Sequence, residues 1–147
     1  MQPERSALGA ATFAVAITCI DGRTHEALVT WARTQLGVDY VDLVTQPGAD
    51  VQLSACPQLM CEGIRDRLDV SLGAHAPRAV VIAGHDDCAA NPVPPDEHRR
   101  QISDAVDRVD GWRPGVPVTG VWIDDTGLVS VVAEGSGCGG SDLTPTG

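Results

Sequence analysis

The chain has 147 residues, of which 43% are apolar, and its 20 acidic residues outnumber 10 basic ones, all arginine, for a formal charge of −10. That length suits one domain able to bury a core without staples, and an aromatic content of 3% leaves Val, Leu, Ile and Ala to fill it. A surface so negative repels nucleic acid and anionic membrane, so neither is expected as a partner.

Residues 1–10 read as a polar lead-in without the basic-then-apolar layout of a secretory signal, and no run reaches the ~18 apolar residues of a membrane span. The chain is therefore expected in the cytoplasm. There its five cysteines read as free or metal-bound rather than disulfide-bonded. Residues 11–18 form a continuous apolar run that predicts a strand covered on both faces, and it stops abruptly at Cys19-Ile20-Asp21-Gly22-Arg23. Thr24 is placed to cap a helix whose apolar positions Ala27, Leu28, Trp31, Ala32 and Leu36 recur at helical spacing, with Gly37 as its stop. A second strand over 40–45 carries Asp42 and Thr45, and this polarity suits a place near the sheet edge.

A helix is predicted over 54–72, with Leu59, Met60, Ile64, Leu68 and Leu72 as its apolar stripe. Cys56 and Cys61 within it lack a second pair at matching spacing and read as structural. The strand over 79–83 leads into His85-Asp86-Asp87-Cys88. Beyond a proline-stiffened stretch, a helix opens at Asp96 or Glu97 and runs to Val109 with Ile102, Ala105, Val106 and Val109 inward. Strands over 116–123 and 128–133 are joined by Asp124-Asp125-Thr126-Gly127, whose composition fits a hairpin turn. The order βαβαβαββ predicts a three-layer α/β fold with a mainly parallel sheet of about five strands and flanking helices. Residues 1–134 read as a single α/β domain and 135–147, rich in Gly, Ser and Thr, as a disordered tail.

Sites in such sheets form beyond the carboxyl ends of the strands, where Cys19, His85 and Cys88 fall. Two thiolates and an imidazole suit zinc, and three protein ligands leave a coordination position open, the mark of a catalytic site.

Cys-x-Asp-x-Arg at 19–23 and His-x-x-Cys at 85–88 together resemble the two signature motifs of the β-class carbonic anhydrases. The resemblance covers roughly residues 12–134. It implies that Cys19, His85 and Cys88 bind Zn2+ and that Asp21 and Arg23 form the functional pair beside it. It implies a lyase, a carbonate dehydratase, in which zinc-bound hydroxide attacks carbon dioxide to give bicarbonate, in a homodimer or higher homo-oligomer. Asp21 would accept a hydrogen bond at the metal, while Arg23 would keep it ionised and turned away; released, Asp21 could itself take the open position.

Asp87 could orient Arg23 or a loop amide, or simply be solvated. His25 and His98 are proton-shuttle candidates whose plainer reading is a solvated helix position. The chain departs from the family pattern at Thr45-Gln46-Pro47-Gly48-Ala49 and at Ala89, which marks a short, divergent member. Carbonyl sulfide or carbon disulfide remain alternative substrates, and a non-catalytic zinc-binding module with Asp21 as fourth ligand is the reading of another class. The edge strand near 128–133 could pair with another chain.

Overall fold

The computed structural model describes residues 10–55 and 58–137, with side chains in the second stretch from residue 61. Its strands are β1 (Phe13–Thr18), β2 (Tyr40–Thr45), β3 (Val80–His85), β4 (Val118–Ile123) and β5 (Val129–Glu134). Its helices are α1 (His25–Leu36), α2 (Ala49–Ala55), α3 (Gln58–His75) and α4 (Pro95–Gly111).

The sheet order is β2-β1-β3-β4-β5. The pairs β1–β2, β1–β3 and β3–β4 are parallel, and β4–β5 is antiparallel. This is the α/β architecture expected from the sequence, with β2 at an edge. Central strands β1 and β3 are buried on both faces, which is why their sequences run apolar without alternation. Side chains still divide by face. Val15, Ile17, Val80 and Ile82 pack against Leu53, Leu68 and Ile102 from α2, α3 and α4. Ala16, Val81 and Ala83 pack against Leu28 of α1.

Local chemistry sets the helix ends. Gly37 stops α1 in the left-handed conformation, φ 65°. Pro95 begins α4 with Asp96 and Glu97 in its first turn, where a fixed φ and negative charge both favour a helix start. Thr24 makes no side-chain cap bond. Instead its Oγ1 donates to the Asp21 carbonyl at 3.0 Å and closes a 3₁₀ turn, Gly22–Thr24, ahead of α1.

Three expectations are corrected. The helix predicted over 54–72 is preceded by a separate helix, α2, which begins just after Gly48 turns the chain at φ 60°. Strand β3 runs on to His85, because its ladder with β4 continues through Gly84↔Trp122 and His85↔Ile123. Cys61 is disulfide-bonded while Cys19 and Cys88 are free. Bond formation depends on the separation and direction of the side chains, which spacing along the chain does not fix.

Candidate metal centre

Neighbouring strands β1 and β3 end side by side. Cys19 follows β1, His85 closes β3, and Cys88 lies just past a turn in which Asp87 adopts φ 56°. The ligand atoms of all three residues lie within 4.8 Å of one another, and the two Sγ atoms are 3.9 Å apart. All three residues are buried.

The His85 ring identifies its own free atom. Its Nδ1 is 2.8 Å from the Asp86 carbonyl oxygen, which can only accept, so Nδ1 carries the hydrogen and Nε2 carries the lone pair. That Nε2 is buried with no hydrogen-bond partner among the described residues. A buried acceptor left unpaired is costly, and a metal ion would satisfy it. Two thiols beside it complete a donor set that fits zinc. Burial, with the adjacent Cys19 thiol adding to it, pushes the Cys88 thiol up to about 11. At neutral pH the metal-free thiol is protonated, and metal binding must displace that proton.

Asp21 and Arg23 are locked together. The Arg23 Nη2 donates to Asp21 Oδ2 at 2.6 Å, its Nε donates to Oδ1 at 3.0 Å, and the Arg23 backbone amide donates to Oδ1 at 3.0 Å. These bonds hold the Asp21 carboxyl well below the usual carboxylate range. Asp21 does not belong to the Cys19–His85–Cys88 group. Asp87 steadies the pair from the far side, accepting from Arg23 Nη2 on its carbonyl at 3.2 Å and from Nη1 on its carboxylate at 3.4 Å. A cavity of about 650 Å³, lined by His85, Cys88, Arg23 and Asp86, opens from this centre toward the turn at Asp124 and Asp125.

The remaining candidates separate. His25 is half-buried, with its Nε2 2.9 Å from the Cys19 carbonyl. His98 is neither solvated nor near the cavity mouth: it is 1% exposed and bonded to Asp50 Oδ2 at 2.8 Å through Nδ1. Its position on the inward stripe of α4 with Ile102 and Ala105 was the signal for burial. Asp50 and Asn91, which complete that buried cluster, went unnoticed in the sequence because their partners lie far away along the chain. The Asp124 carboxylate accepts from the Thr126 and Leu128 amides and closes the hairpin turn. Met60 falls where side chains are not described, and Cys56 and Cys138 lie outside the described residues.

At the carboxyl end of the α/β sheet a free Cys-His-Cys set is thus gathered that could hold a metal ion, with an Asp–Arg pair alongside. The family model described as "Putative carbonic anhydrase" matches residues 9–133. The chain belongs to this carbonic anhydrase family. It is similar in structure to a β-carbonic anhydrase from the filamentous ascomycete Sordaria macrospora, described as tetrameric. The TM-score is 0.51, the identity is 13%, and 88% of this chain and 85% of that chain are covered. The β-carbonic anhydrase CafA of the fungal pathogen Aspergillus fumigatus aligns with TM-score 0.46 and 15% identity, over 88% of this chain and 82% of that one. No curated protein matches.

Proposed function

We propose that the chain catalyses reversible hydration of carbon dioxide to bicarbonate, with zinc held by Cys19, His85 and Cys88 and with Asp21 and Arg23 as the functional pair. One observation carries the reading: a buried, unpartnered His85 Nε2 in a group with two free thiols, in a chain of this family. Zinc, when bound, supplies a Lewis acid that makes water acidic enough to react near neutral pH.

The residues divide the remaining work. The Asp86 carbonyl fixes the His85 tautomer, so the lone pair on Nε2 is always available. Arg23 keeps Asp21 ionised, so that its carboxylate could accept a hydrogen bond from a group bound at the centre and orient it. Held this way, Asp21 is kept from acting as a fourth ligand, which favours an open catalytic site over a closed structural one. The cavity is large for a triatomic substrate, leaving room for a substrate and its ordered water. His98, buried in the core, has no part in carrying protons out.

Parallel assays of zinc-loaded protein on carbon dioxide and carbonyl sulfide test the substrate. Turnover of carbonyl sulfide alone would move the reaction to heterocumulene hydrolysis at the same centre. We further propose a cytoplasmic homo-oligomer. Among the described residues no helix is long and apolar enough to cross a membrane. Tyr40 and Leu43 lie exposed on edge strand β2, and Leu128 and Val131 on and beside edge strand β5, leaving apolar edges for a second copy to cover. A monomer mass by light scattering would remove the oligomer.

A further inference from the structure

Behind the metal centre lies a buried polar cluster that the proposed reaction does not use. Asp50 of α2, Asn91 of the loop after Cys88, and His98 of α4 are 2%, 4% and 1% exposed. The Asp50 carboxylate is the hub. Oδ2 accepts from His98 Nδ1 at 2.8 Å, and Oδ1 accepts from Asn91 Nδ2 at 3.1 Å and from the Val51 amide at 2.9 Å. The second hydrogen on Asn91 Nδ2 goes to Gln101 Oε1 at 2.7 Å. Burying this many polar groups is costly, and an apolar filling of the same space would hold the layers together as well.

The hub touches both segments that carry metal donors. On one side the Asn91 amide donates to the Cys88 carbonyl at 3.1 Å, so that fixing the Asn91 side chain fixes the turn that begins at Cys88. On the other, Asp50 lies against the backbone next to His85: a Cβ added to Gly84 would stand 2.6 Å from Asp50 Oδ2. One carboxylate thus registers the end of β3 and the Cys88 loop against each other, from the side of the sheet opposite α1.

We propose that Asp50, Asn91 and His98 are positioning residues for the metal centre, holding His85 and Cys88 at metal-binding separation through the backbone. The inference rests on the metal reading above. It assigns no chemistry to the three side chains, whose role is to keep two donors from drifting apart when the metal is absent or exchanging. Asp50→Asn preserves an acceptor for Asn91, and the other tautomer of His98 can accept from its new amide at Nδ1, so the backbone links are kept while the hydrogen moves to the buried, unpartnered Nε2 at a cost in stability.

The test is the rate at which zinc-loaded full-length protein releases its metal to an excess of a chromophoric chelator. Asn91→Ala and Asp50→Ala are expected to release zinc roughly 10–100-fold faster than wild type, the usual range for losing an outer support of a metal site. Asp50→Asn should stay near wild type. Leu68→Ala, a core truncation on α3, the helix that carries none of the three residues, should lower the melting temperature yet leave release unchanged. Should Asp50→Ala not fold, Asn91→Ala decides alone. Wild-type release from Asn91→Ala, or equal acceleration by Leu68→Ala, would overturn the inference while leaving zinc binding intact. A wild-type chain that takes up no zinc overturns the metal reading itself, and this one with it.

Discussion

Two aspartates flank the metal-side end of the sheet, each paired with a basic side chain, and the pairs are built differently. Asp21 and Arg23 sit two residues apart on one turn, and the arginine side chain is 65% exposed. Asp50 and His98 come from different helices 48 positions apart, and their side chains are 3% and 2% exposed. The first pair is local, wet and within reach of the cavity; the second is assembled only by folding and is sealed from water. An exposed ion pair adds little to stability, whereas a buried hydrogen-bonded pair is costly to break from one side. The first is therefore free to serve chemistry, and the second is committed to structure.

Removing a metal donor should have the largest effect. Cys88→Ser is expected to weaken zinc binding on the order of 10²–10³-fold, read by competition with a chelator, because one of three donors is lost. Breaking the buried pair comes next: Asp50→Ala should cost about 2–4 kcal/mol in denaturant unfolding, since His98 and Asn91 lose the acceptor they are buried against. Equal stability of this variant and wild type would erase the distinction between the pairs.

The pH response of zinc uptake follows from the Cys88 thiol. Because its pKa is raised to about 11, a proton must leave on binding. Affinity should therefore climb through the neutral range, by about tenfold per pH unit for each proton displaced. A flat profile would mean that the thiols are already ionised without metal.

The smallest effect belongs to the exposed pair. Arg23→Gln should leave the unfolding midpoint near wild type and raise the Asp21 pKa toward the ordinary value of about 4, seen as an upward shift in its carboxyl NMR titration. The sign follows from the lowered native pKa: whatever stability the pair contributes is present above the unfolded-state value and lost as pH falls through the native one.

The same contrast explains what could be read in advance. The central strands, the hairpin and the Cys19, Asp21, Arg23, His85 and Cys88 motifs were legible because their information is local: an apolar run, a Gly-containing turn, two donors three residues apart. The link from Asp87 to Arg23 is one of the two readings that its loop position allows. Helix α2 escaped because seven residues give less than two turns of periodicity, and Asp50, at its start, has no local mark of burial. His98 reads as solvated from the sequence although it lies on the apolar stripe of α4, because a histidine beside Glu97, Arg99 and Arg100 looks like part of a charged face. What a residue meets across three layers is set by packing, and packing is where the sequence signal ends.

The central claim is that Asp21, held off the metal by Arg23, leaves an open catalytic position. Stopped-flow carbon dioxide hydration by zinc-loaded wild type and Asp21→Ala, with zinc content measured in both, tests it most directly. The account predicts fast hydration by wild type and a loss of about 10²-fold in Asp21→Ala at unchanged zinc content. Zinc-loaded wild type without hydratase activity, or Asp21→Ala at the wild-type rate, would contradict it.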